Sequence, residues 1–147
     1  MQELQLSTRA RSYSRITGGP TMITTASIRP PNSLLFVMDM KSGEIPETMD
    51  GKLVVSTPSC IVISTLTAAD GETSIVLTDE KALVHVDSDF RKVFSGVLET
   101  PKKEVHICTV LLQQVMKLPV LSTQSSIEIW ANSEIEPSKL CVLVSTK

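Results

Sequence analysis

From residue 34 onward, short apolar runs alternate with clusters of Gly, Pro, Asp, Asn and Ser at fairly even spacing. That pattern belongs to an all-β sandwich or barrel. Its strongest local signal lies between residues 59 and 79. Ile61, Val62, Ile63 and Thr65 precede the pair Asp70-Gly71, and Thr73, Ile75 and Val76 follow it. The β-branched arms suit a pleated, half-buried surface, and Asp-Gly suits the two positive φ angles of a type I′ turn. The pattern predicts a β-hairpin here, around which the other strands assemble.

Further strands are expected at residues 34–40, 51–57 (ended by Pro58), 82–87, 93–98, 104–110, 126–131 and 139–144. Val84 and Val86 share one face of the 82–87 segment and His85 and Asp87 the other. Gly96 marks a bulge or a close backbone approach. Pro101 with Lys102-Lys103 marks a turn or a blunted edge. Residues 110–119 read as strand–turn–strand with Gln113-Gln114 at the bend. A short helix presenting Leu111, Val115 and Leu118 on one face is the alternative. The fold class that follows is an all-β, two-sheet antiparallel sandwich of about 8–10 short strands over residues 34–147, its sheets roughly 10 Å apart.

Residues 1–33 differ from the rest. They are rich in Ser and Thr and carry four arginines against one acid, a formal +3 that leaves −5 on the remainder. Gly18-Gly19-Pro20 and Pro30-Pro31 interrupt regular structure. The expectation is a disordered leader, or an upstream start with Met22 as the true beginning. The Arg/Ser-rich, acid-poor composition also fits an organelle transit peptide.

Composition narrows the function classes. The 147 residues suffice for one domain, and with 3% aromatic residues its core must be aliphatic. Few aromatic rings and a net charge of −2 leave neither stacking platforms nor a basic footprint for nucleic acid. No stretch reaches the roughly 20 apolar residues of a membrane-spanning helix. Cys60, Cys108 and Cys141 are far apart and form no CxxC pair, so free thiols in a reducing cytoplasm are expected.

One constellation carries potential chemistry: His85, Asp87, His106 and Cys108. Each pair stands at i, i+2 on one face of an expected strand, so two neighbouring strands could assemble a metal site or a Cys108 nucleophile with a His base. The plainer reading is the polar face of antiparallel strands. We adopt it and assign no catalytic, cofactor or metal residue. Asp87-Ser88-Asp89 starts like a calcium loop but lacks the later ligands. Phosphate-binding loops and the G-x-S-x-G elbow are missing from the sequence. The acids Glu44, Glu47, Glu99, Glu134 and Glu136 lie in or beside loops with no spacing that nominates a pair. Trp130 points opposite Ile129, toward packing or a contact surface.

Four segments carry a resemblance: Gly51-Lys-Leu-Val-Val-Ser-Thr57, the turn Asp70-Gly71-Glu-Thr73, Phe94-Ser-Gly-Val-Leu-Glu-Thr-Pro101, and Ser126-Ile-Glu-Ile-Trp-Ala-Asn132. Together they resemble small bacterial β-sandwich proteins related to the competence protein J family, over residues 34–144. The resemblance implies that fold and a role in binding a DNA-entry nuclease as its inhibitor. It carries no site residue across. The expected function is therefore a non-catalytic, cytoplasmic protein-binding domain of inhibitor or immunity type, its acidic domain suited to a basic partner. Two alternatives stand beside it: a small metal- or thiol-dependent enzyme using His85, His106 and Cys108, and a structural subunit of a larger assembly.

Overall fold

The computed structural model describes residues 7–14, 20–39, 42–85 and 88–146. Eleven strands follow in chain order: β1 (Ser7–Ser14), β2 (Pro20–Ile28), β3 (Leu34–Met38), β4 (Val54–Thr57), β5 (Cys60–Ser64), β6 (Thr73–Thr78), β7 (Arg91–Glu99), β8 (Glu104–Cys108), β9 (Gln114–Pro119), β10 (Gln124–Ala131) and β11 (Lys139–Thr146). They form a six-stranded sheet, β1-β2-β6-β11-β10-β7, and a five-stranded sheet, β4-β5-β3-β8-β9. Ile28, Ile63, Leu77, Ile107, Ile129 and Val142 are among the fully buried side chains that the two sheets enclose. The expected sandwich and its aliphatic core are both present. Pairing is antiparallel except between β6 and β11, where Leu140 lies beside Ile75 and Val142 beside Leu77. β11 thereby joins β6 to β10.

The expected hairpin around Asp70-Gly71 does not form. β5 lies in the five-stranded sheet and β6 in the six-stranded one, so residues 65–72 arch from one sheet to the other. A 3-10 turn at Ala68–Asp70 leads into Gly71 at φ 144°, ψ −171°, a conformation open to glycine and costly for other residues. The arch is tied by the Thr65 N–H to the Ser33 carbonyl (2.8 Å) and by the Leu66 N–H to the Pro137 carbonyl (2.9 Å). Ile61 and Ile63 from β5 meet Ile75 and Leu77 from β6 in one core, across the sandwich. Period-two alternation buries the same side chains in a hairpin and in an arch, so it cannot separate them. The real hairpin on β5 turns at Pro58-Ser59, where Thr57 pairs with Cys60.

Residues 7–14 and 20–33 belong to the sandwich, which corrects their assignment to a disordered leader. β2 lies between β1 and β6, with Ile23 opposite Thr78 and Ile28 opposite Thr73. Ala26 and Ile28 are buried in the core, and Met22 packs partly against it. Thr, Ala and Met soften the hydrophobic contrast of this strand, although the β-branched threonines favour it. Pro20 is tolerated because it is the strand's first residue. Residues 1–6 and 15–19 of the expected leader lie outside the described residues.

Two smaller expectations change as well. Residues Lys81–His85 form a 3-10 turn rather than a strand. Val84 there packs on Cys141 and Leu143 of the outer sheet face instead of entering the central core. The 110–119 segment is a turn followed by a single strand, β9, with the preceding strand already ended at Cys108 and Gln114 in β9 rather than at the bend. Leu112 takes φ 59° and donates its N–H to the Thr109 carbonyl at 2.9 Å. At Gly96 the close neighbour is a ring rather than a backbone: an added Cβ would lie 2.8 Å from the Phe94 ring. The bulge falls at Val93 instead, between the pairs Phe94–Ile129 and Lys92–Trp130.

Candidate functional site

The structure separates His85 from His106 and Cys108, three of the four residues that could have carried chemistry. His85 is exposed at the end of the 3-10 turn, over the outer face of the six-stranded sheet. Its ring meets Trp130 edge-on, with centroids 5.5 Å apart and planes at 74°. The Trp130 indole N–H donates to Glu128 Oε1 at 3.0 Å, and Lys92 Nζ stands 6.0 Å from the ring centroid. Trp130 is thus mainly a packing residue, half-buried against the cluster of Val84, Cys141 and Leu143. His106 and Cys108 sit on β8, in the other sheet. Val86 and Asp87 lie outside the described residues.

His106 is 6% exposed and its Nε2 is 3.1 Å from Glu104 Oε1. Lys117 Nζ approaches the other Glu104 oxygen at 3.8 Å. The His106 hydrogen bond, aided by the Lys117 charge, holds the Glu104 carboxyl below its usual range. Cys108 is fully buried and so presents no nucleophile to solvent. Among the described residues, no group of three or more His, Cys, Asp or Glu side chains could hold a metal ion.

All three cysteines lie on outer sheet faces, and all three are buried there. Cys60 and Cys108 share the outer face of the five-stranded sheet with Phe36, Met38 and Val62, under half-buried Met49, Val110 and Leu112. Cys141 lies under Val84 on the other sheet. Loss of solvation pushes the Cys60 and Cys141 thiols up to about 12, with nearby Cys108 adding to the effect at Cys60. The signal for these covered faces was present in the sequence. Leu34-Leu-Phe-Val-Met38 and Cys60-Ile-Val-Ile63 are continuous apolar runs, as strands buried on both faces require.

The surface best suited to contact is one end of the sandwich, built from residues 65–72 and 132–138. Asp70, Glu72, Glu134 and Glu136 are all exposed there, and Ile135 between the last two is 80% exposed. The Asn132 side chain fixes the 132–138 loop by accepting the Ser138 and Lys139 N–H groups at 3.1 Å each. The Leu66–Pro137 bond ties that loop to the arch. The Arg29 guanidinium, also at this end, donates to the Ala68 carbonyl. The tip therefore offers Glu134 and Glu136 on either side of exposed Ile135, on a loop tied to the arch. Sequence reasoning noted Glu134 and Glu136 but could not bring the arch beside them, because it had placed that segment in a hairpin.

No protein-family model and no curated protein sequence matches the chain. In three dimensions it is similar to the crystal structure of ComJ from Bacillus subtilis, described as an inhibitor of the DNA-degrading activity of NucA. The two share a TM-score of 0.61 over 95% of this chain and 99% of that one, at 9% sequence identity. The resemblance to the competence protein J sandwich is thus one of fold, and it reaches beyond residues 34–144, where the sequence pattern had carried it.

Proposed function

We propose that the chain is a non-catalytic, cytoplasmic protein of the inhibitor type, which binds a basic, DNA-degrading partner through its acidic loop end. The observation that carries this reading is the near end-to-end likeness of fold to a nuclease inhibitor. The wide separation of His85 from His106 and Cys108 supports binding over catalysis. An enzyme that cuts DNA needs positive charge to hold phosphates. The Glu134-Ile135-Glu136 tip offers such a surface two carboxylates and an apolar anchor. Acidic steering raises the encounter rate more than it tightens the complex, so binding should weaken with salt.

Capture from extracts of the native host, at low salt and at about 0.5 M salt, tests this. The expected result is a DNA-degrading protein retained at low salt, whose activity falls as the chain is titrated back. The double variant Glu134→Lys, Glu136→Lys should lose that capture while its thermal melt stays close to the parent's. An empty capture at both salts, or a nuclease unaffected by stoichiometric chain, overturns the proposal.

A further inference from the structure

The two outer sheet faces are covered very differently. Over the six-stranded sheet, Val84 is 1% exposed, and the chain leading to it is locked to β2 and β6. There the Met22 N–H donates to Asp79 Oδ1 at 2.9 Å, Thr78 Oγ1 donates to the Met22 carbonyl at 2.9 Å, and the Glu80 N–H donates to Thr78 Oγ1 at 3.0 Å. Over the five-stranded sheet, Val110 and Leu112 cover one part, and the other part lies under residues 42–53, which are exposed apart from half-buried Gly43, Pro46, Met49 and Leu53.

This strap is pinned near its two ends. At the first, the Glu44 N–H donates to Ser59 Oγ (2.8 Å) and Thr57 Oγ1 donates to the Glu44 carbonyl (2.6 Å). Gly43 lies so close to the sheet there that a Cβ would overlap the Ser59 carbonyl oxygen. At the second, the Ser64 N–H donates to the Leu53 carbonyl (2.9 Å). Between the pins, the hydrogen bonds are internal to the strap: Lys52 N–H to the Met49 carbonyl and Asp50 N–H to Thr48 Oγ1. Met49 is the strap side chain that packs on the buried patch of Phe36, Met38, Cys60, Val62 and Cys108.

We propose that residues 42–53 form a hinged cover that lifts while the sandwich stays folded, exposing Cys60 and the apolar patch around it. Few buried contacts, and a backbone that between its two pins bonds only to itself, place a segment at the low-stability end of a fold. The thiol at about 12 is unreactive while covered and regains ordinary acidity once wet, so Cys60 reports the opening.

The experiment is N-ethylmaleimide labelling of the reduced full chain, mapped to each cysteine by mass spectrometry across sub-denaturing urea. Global unfolding is followed in parallel by Trp130 fluorescence. Cys60 should label faster than the chain unfolds, at a rate nearly flat in urea, whereas Cys141 should follow global unfolding. Met49→Gly and, independently, Gly43→Ala should each speed Cys60 labelling by about tenfold, leaving Cys141 tied to global unfolding. If Cys60 labelling tracks global unfolding at every urea concentration, or if neither variant accelerates it, the cover is a fixed part of the fold and the proposal fails.

Discussion

The chain contains the dipeptide Asp-Gly twice, and the two copies do opposite things. At Asp50-Gly51 both residues take positive φ, 51° and 70°, and the Lys52 N–H closes on the Met49 carbonyl at 2.9 Å. These are the φ signs of a type I′ turn. At Asp70-Gly71 the aspartate ends a 3-10 turn and only the glycine has positive φ, at 144°. That pair sits in an arch between sheets, although its β-branched flanks look far more like hairpin arms than the flanks of the first pair do. Asp-Gly permits a tight reversal without dictating one. What decides is where the flanking strands find hydrogen-bonding neighbours. β5 is satisfied on both edges by β4 and β3, and β6 by β2 and β11, which leaves neither an edge for the other.

The sharpest way to break this contrast is all-or-none. Cross-strand Hα contacts by NMR should link β6 to β2 and β11, with Val76 seen near Thr25 and Cys141. A ladder running directly from β5 to β6 would restore the hairpin and remove the arch. Next in size, Ile63→Ala and Ile75→Ala should each cost roughly 2–5 kcal/mol in a urea melt, since both side chains are 1% exposed and fill one core. A loss under about 1 kcal/mol at Ile63 would place that side chain outside the core. Gly71→Ala should cost roughly 1–3 kcal/mol because its backbone region is nearly closed to alanine. Gly51→Ala, in an exposed turn with open space around the Cβ, should cost about 1 kcal/mol, and Gly51→Asn less. Should the order of the two glycines reverse, the arch is the more forgiving site and the comparison is inverted.

Much of the architecture was legible because alternation and turn residues are local. Val105 and Ile107 on β8, Ile127 and Ile129 on β10, and Val142 and Val144 on β11 face the core as period two requires. What resisted reading was non-local. Whether β5 and β6 share a sheet depends on strands far away in sequence, and the place of β2 depends on pairing with β6 rather than on its weak contrast. The 82–87 segment misled for a related reason: Val84 is buried, but on an outer face under its own connection. The candidate contact surface follows the same rule. Its charged residues are visible in the sequence, while their gathering at one end needs the arch.

The position of β11 has a consequence for how the molecule comes to exist. Residues 139–146 are made after every other described strand, yet they form the seam between β1-β2-β6 on one side and β10-β7 on the other. During synthesis the larger layer must therefore wait as two unjoined halves, each with an open flank. A ribosome that stalls before this segment leaves a chain that already holds most of its apolar residues and has no way to close.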